Sequence, residues 1–199
     1  MRNMESKKRN EELYYTARDL AVIFNNLALD CQSEAEILGN IWAKERAYLR
    51  EPYRSDRRRL YLDTLYWESY YYHKDSLDKE LKTISKDCRD VGGSLKEEDY
   101  MSDFADVDLF FKTLRIRLLY GPGGAYVRLK RRTLLSQLNA QRLRPQVAQR
   151  IQTCLRFYRI GMFSRGEIPC RLEETKPDDL IVLRIVAKKP SVQKARPGK

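Results

Sequence analysis

The chain has 199 residues, with 39 Lys and Arg against 28 Asp and Glu, and carries a formal net charge of +11. Its 42% apolar content excludes a disordered chain and is enough to bury a core in one domain or two small ones. A pI near 9.5 points to an anionic partner, nucleic acid before an anionic membrane surface. No run approaches the roughly 18 apolar residues of a membrane-spanning helix, and the basic start MRNMESKKRNEELYY lacks the apolar stretch of a secretory signal. A cytoplasmic protein away from membranes is therefore expected. The cysteines Cys31, Cys88, Cys154 and Cys170 lie far apart with no CxxC spacing, and His73 is the sole histidine. Reduced, packed thiols are expected, with neither a metal nor a cofactor.

Residues 1–92 read as a helical region. From Glu11 to Leu29, Leu13, Ala17, Leu20, Ala21, Phe24, Leu27 and Ala28 recur at helical spacing. Ser33, three residues before Glu36, matches a capping box opening a second helix with Ile37, Leu38, Ile41, Trp42 and Tyr48. Pro52 should stop that helix near Glu51. A third helix is predicted from about Ser55 toward Cys88, with an irregular apolar period that fits a helical hairpin or bundle better than a coiled coil. Its cluster Tyr66, Trp67, Tyr70, Tyr71, Tyr72 and His73 points all round the helix, which fits packing or a partner interface better than a base-stacking platform. Residues 93–106 are acidic and read as a linker or a solvated helix start.

Composition then changes. The 58 residues from Leu109 to Gly166 contain 13 basic residues and no acid. Taking those 13 from the chain's 39 leaves 26 basic residues against 28 acidic ones, so this segment carries the whole excess. A solvated surface usually mixes both signs, because like charges repel. Val107 to Tyr120 is apolar enough for a buried helix or strand, and Gly121–Gly124 must turn. Ala125 to Lys130 alternates like a half-buried strand, Arg131 to Leu138 suits a short helix, and Asn139-Ala140-Gln141 breaks the chain. Arg144 to Tyr158 is a second helix with Pro145 in its first turn and Val147, Ile151, Leu155 and Tyr158 as its apolar stripe. Strands are predicted at Met162–Arg165 and Leu180–Val186. Residues 187–199 form a basic, Pro/Lys-rich tail expected to be disordered.

In order of elements, residues 107–186 resemble a winged helix-turn-helix. The fold class is then mainly α with a small β component (α+β): an N-terminal helical hairpin or bundle followed by a basic winged-helix-like domain. The resemblance implies that Arg144–Tyr158 is a recognition helix in a major groove. Gln146, Gln149, Arg150 and Thr153 lie off its apolar stripe and are residue types that read bases. Arg131, Arg132, Arg142 and Arg144 would grip phosphates, with Arg128, Lys130 and Arg156 in the same basic surface, and Ser164, Arg165 and Gly166 would form the wing. One departure is the five acids between Glu167 and Asp179, which would repel a phosphate backbone.

The expected function is non-enzymatic binding of nucleic acid, duplex DNA over RNA, by a regulator or a replication or mobile-element accessory factor. The N-terminal helices would serve a homodimer or a protein partner. Alternatives are an RNA-binding or ribonucleoprotein subunit, an adaptor whose basic face docks an acidic protein, and a metal-dependent nuclease built on Asp103, Asp106 and Asp108. Gly121–Gly124 lacks the Lys-Ser/Thr of a phosphate loop, and no catalytic motif is present.

Overall fold

A computed structural model describes residues 11–72, 104–121 and 125–186. Helix α1 (Ala17–Asn26) begins at a capping box, in which the Thr16 hydroxyl accepts from Asp19 N–H and Asp19 carboxylate accepts from Thr16 N–H. It starts later than its apolar spacing suggests because Tyr15 is extended, pairing with the chain at Leu49 through Tyr15 N–H to Tyr48 C=O at 2.8 Å. Helix α2 (Cys31–Lys44) is capped by Asp30, whose carboxylate accepts from Ser33 N–H, so Ser33 lies inside the helix. It ends before Pro52 takes effect, and a 3₁₀ turn at Arg46–Tyr48 carries the chain on. In helix α3 (Arg57–Tyr72) the first turn is closed by Asp56, which accepts from Arg59 N–H at 2.9 Å. The rest of the predicted third helix lies outside the described residues, as do His73, most of the acidic linker and the basic tail.

Helix α4 (Ala105–Tyr120) resolves the choice between helix and strand, and it begins at the end of the acidic stretch, with Asp106 and Asp108 in its first turn. Strand β1 (Tyr126–Lys130), helix α5 (Arg131–Gln137) and helix α6 (Pro145–Phe157) follow the expected boundaries within two residues. Asn139 has φ 51°, the left-handed conformation that an asparagine accepts at a helix end. Strand β2 (Ile160–Phe163) starts two residues earlier than predicted, and strand β3 (Leu180–Ile185) closes the sheet.

The sheet is antiparallel throughout, in the order β1-β3-β2. Tyr126 faces Arg184 and Lys130 faces Leu180 on one side of β3, while Ile160 faces Ile185 and Phe163 faces Val182 on the other. The side chains of Leu129, Ile181, Leu183, Ile160 and Met162 point inward. Gly161 leaves room for a close neighbour: a Cβ there would come 2.7 Å from the Phe163 ring, which would have to shift across the outer face of the sheet. The β2–β3 connection is anchored by buried Leu172, whose carbonyl accepts from Thr175 Oγ1 at 2.8 Å.

One apolar core runs through both halves of the described chain, from Leu13, Leu20 and Phe24 through Phe111 and Ile116 to Ile151, Tyr158 and Leu183. The boundary near residue 100 is one of composition, not of packing. Helix α1 lies against α3 and α4, and α4 against α6. Trp67 packs with Ala17 and Ala21, which assigns the centre of the aromatic cluster to packing. Among the described residues no helix is long and apolar enough to cross a membrane.

Candidate nucleic-acid interface

The seam between the two halves explains where much of the charge goes. Lys112, 2% exposed, donates from Nζ to Asp19 at 2.6 Å. Arg115, 5% exposed, lies over the Tyr48 ring and bonds the Glu45 carboxylate and the Tyr158 carbonyl. Arg150 on α6 is 7% exposed; its Nε donates to Asp108 at 2.6 Å, a second donor reaches the same carboxylate, and Nη2 lies 3.2 Å from Glu12. Burial works against the Arg150 charge, yet its hydrogen bonds to the Asp108 carboxylate and that group's negative charge hold the guanidinium pKa above its ordinary value. The segment without acids thus draws on acids outside it. Part of the anionic partner implied by composition is the protein itself.

This corrects the base-reading assignment of Arg150. A guanidinium whose fork is filled by a buried carboxylate has neither the donors nor the direction to meet a guanine edge. The same bond removes Asp108 from any metal-binding trio. Asp106 accepts from Asn139 Nδ2 at 3.1 Å, Asp103 lies outside the described residues, and among those described no cluster of His, Cys, Asp and Glu is arranged to hold a metal.

The remaining candidates separate into three groups. Arg142 and Arg144 are exposed in the turn between α5 and α6, and Arg144 occupies the N-cap position of α6. Gln146, Gln149 and Arg156 are exposed along the outer side of that helix, and none of these five side chains has a hydrogen-bond or ion-pair partner among the described residues. Thr153 shares that side but turns its hydroxyl back onto the Gln149 carbonyl at 2.9 Å. This group forms one contiguous surface at the start and outer side of α6.

The second group is engaged by the acidic β2–β3 connection. Asp178 Oδ1 lies 3.4 Å from Lys130 Nζ and 3.0 Å from an Arg132 Nη. Arg131 donates from its side chain to the Thr175 carbonyl, while Arg131 N–H and Arg132 N–H donate to the carbonyls of Asp179 and Pro177 at 3.1 and 2.9 Å. The third group is apart from α6: Arg128 stacks over Tyr126, 4.9 Å from the ring centroid, on the outer side of the sheet, and Arg165 is exposed in a 3₁₀ turn after β2. The acids that marked a departure from the winged pattern are therefore partly neutralised at home. Glu167 pairs with Arg184 at 3.1 Å, and Asp178 with its two cations.

Three of the expected phosphate-gripping arginines share a cleft of about 600 Å³, between α5, the α5–α6 turn and Pro177, with residues the sequence did not single out. Arg131, Arg132 and Arg142 stand in its walls with Ser136, Asn139 and Gln141, and no carboxylate lines it. For Ser136, Asn139 and Gln141 the signal in the sequence was the polar break after a short helix, which reads equally as a plain turn. The free thiols are Cys31, Cys154 and Cys170 among the described residues. Burial pushes the Cys154 thiol far up, with the Asp108 charge adding to it, which marks it as inert. No family model, no curated protein and no solved structure matches the chain.

Proposed function

We propose that the protein is a non-enzymatic binder of duplex DNA, which it engages through the outer side of α6. The observation that carries this reading is the surface of Gln146 and Gln149, flanked by Arg142, Arg144 and Arg156 with no competing partner among the described residues. Glutamine amides suit base edges, and unengaged guanidiniums suit phosphates. Support for a winged helix-turn-helix reading of residues 105–185 comes from the order helix, strand, helix, helix, strand, loop, strand, with the first strand paired to the last. In that arrangement α6 is the recognition helix, and the Arg165 turn stands where a wing would.

The test is a binding series on duplex DNA, single strands and structured RNA at several salt concentrations. Four phosphate contacts, from Arg142, Arg144, Arg156 and Arg165, give a log-affinity against log-salt slope of about −4 on duplex DNA. Gln149→Ala should cost discrimination between a selected and a random duplex by about 1–3 kcal/mol, while Arg144→Gln weakens both alike. Preference for structured RNA over duplex DNA would replace this reading with that of an RNA-binding subunit. Binding to none of the three, or binding indifferent to salt, would refute it and favour an acidic protein as the partner.

A further inference from the structure

The cleft on α5 has more donors than acceptors. Arg142 has no side-chain partner among the described residues, and Arg131 Nε is buried without an acceptor even though another nitrogen of the same guanidinium is bonded to Thr175. Gln141 adds an amide donor, while the Asn139 amide already donates to Asp106. The exposed guanidiniums of Arg132 and Arg142 give the cleft a surface that suits a group rich in acceptors and negative charge. Among the described residues, the one carboxylate paired with a cation of its wall is Asp178, which lies between Arg132 and the neighbouring Lys130. A carboxylate between two cations presents the charge and oxygens that a phosphodiester would.

We propose that this cleft binds a phosphodiester group of the nucleic-acid backbone, and that Asp178 occupies Arg132 of its wall and the neighbouring Lys130 in the free protein as an intramolecular substitute. The proposal rests on the nucleic-acid reading above and extends it to a named backbone site beside α6. Lys130 and Arg132 are 45% and 62% exposed and Asp178 67%, so these ion pairs are weak enough for an incoming phosphate to replace. The contacts of Pro177 and Asp179 main chain with Arg131 and Arg132 hold the connection in place while the Asp178 side chain yields.

The experiment compares Asp178→Asn with Glu173→Gln, which removes the same charge from an exposed position elsewhere on the connection. On a random duplex, Asp178→Asn should tighten binding roughly fivefold, the worth of two exposed ion pairs that no longer compete. Its salt slope should steepen by about 1–2 as Lys130 and Arg132 turn to phosphate. Glu173→Gln should do neither, and Arg142→Gln should weaken binding and flatten the slope by about 1. Equal gains from the two acid variants would reduce the effect to net charge and overturn the proposal. If Gln146→Ala and Gln149→Ala change nothing while the cleft variants act as stated, base reading by α6 fails and the cleft stands. If the protein binds no nucleic acid, inorganic phosphate decides alone. Shifts of the Asn139 and Gln141 side-chain amides in NMR, strengthened by Asp178→Asn, would uphold an anion site with free phosphate as the source, and no shift would end it.

Discussion

Removing Asp108 distinguishes a structural Arg150 from a base-reading one. Asp108 and Arg150 are 4% and 7% exposed and joined by two hydrogen bonds, one of them 2.6 Å. Breaking such a buried pair costs about 3–5 kcal/mol, because the surviving charge keeps its desolvation penalty without its partner. For Asp108→Leu the surviving group is the guanidinium, which still has Glu12 at 3.2 Å, a side chain 33% exposed. That partial compensation places the expected loss near the lower end, about 3 kcal/mol, or about 6–12 °C in Tm for a chain of this size. Arg150→Met strands the carboxylate, with only the Cys154 thiol at 3.4 Å left among the contacts described, and should cost about as much or more. The double variant Asp108→Leu/Arg150→Met replaces both charges by apolar groups of similar volume and should return to within about 1 kcal/mol of the parent. Urea denaturation followed by Trp42 and Trp67 fluorescence gives the cycle, and its coupling energy measures the pair. An Arg150→Met protein with unchanged stability and lost sequence discrimination would refute this reasoning and restore Arg150 to the DNA surface.

Three further outcomes test other parts of the molecule. Thr16→Ala removes the cap of α1 and should cost about 1 kcal/mol, read from the same urea transitions; no change would mean that Asp19 alone holds the helix start. In the native protein iodoacetamide should modify Cys31 and Cys170, both partly exposed, well before Cys154, which should react only on unfolding; mass spectrometry of digests reports the order, and early labelling of Cys154 would contradict the packing around Asp108. Burial raises the phenol pKa of Tyr15 and Tyr158 well above the usual value, opposed at Tyr15 by the Arg115 charge. Both therefore stay neutral in the folded state while the unfolded chain ionises. Their stabilising contribution is complete below about pH 10 and declines above it, by up to about 1.4 kcal/mol per pH unit for each. A stability curve flat from pH 9 to 11 would count against the burial of both rings.

Much of the secondary structure was already determined by the sequence, because its causes are local. Alternation in Tyr126–Lys130, Pro145 in the first turn of α6, and the β-branched run ending the sheet act over a few residues, and each element formed where they point. Boundaries moved where a neighbour distant in sequence intervened, as at Tyr15, which Leu49 holds extended. The net charge was also a matter of sequence, and so was its concentration between Leu109 and Gly166. Which of those cations can meet a ligand was decided only by tertiary structure. Lys112, Arg115 and Arg150 look like Arg142 and Arg144 in the chain, yet their acids lie 93, 70 and 42 residues away. Position on α6 offered one hint, since Arg150 borders the apolar stripe between Val147 and Cys154. The hint is weak, because a helix flank faces water or a neighbour according to what packs there. An ion pair forms through space, and its partner is set by the fold that brings the N-terminal segment against α4 and α6.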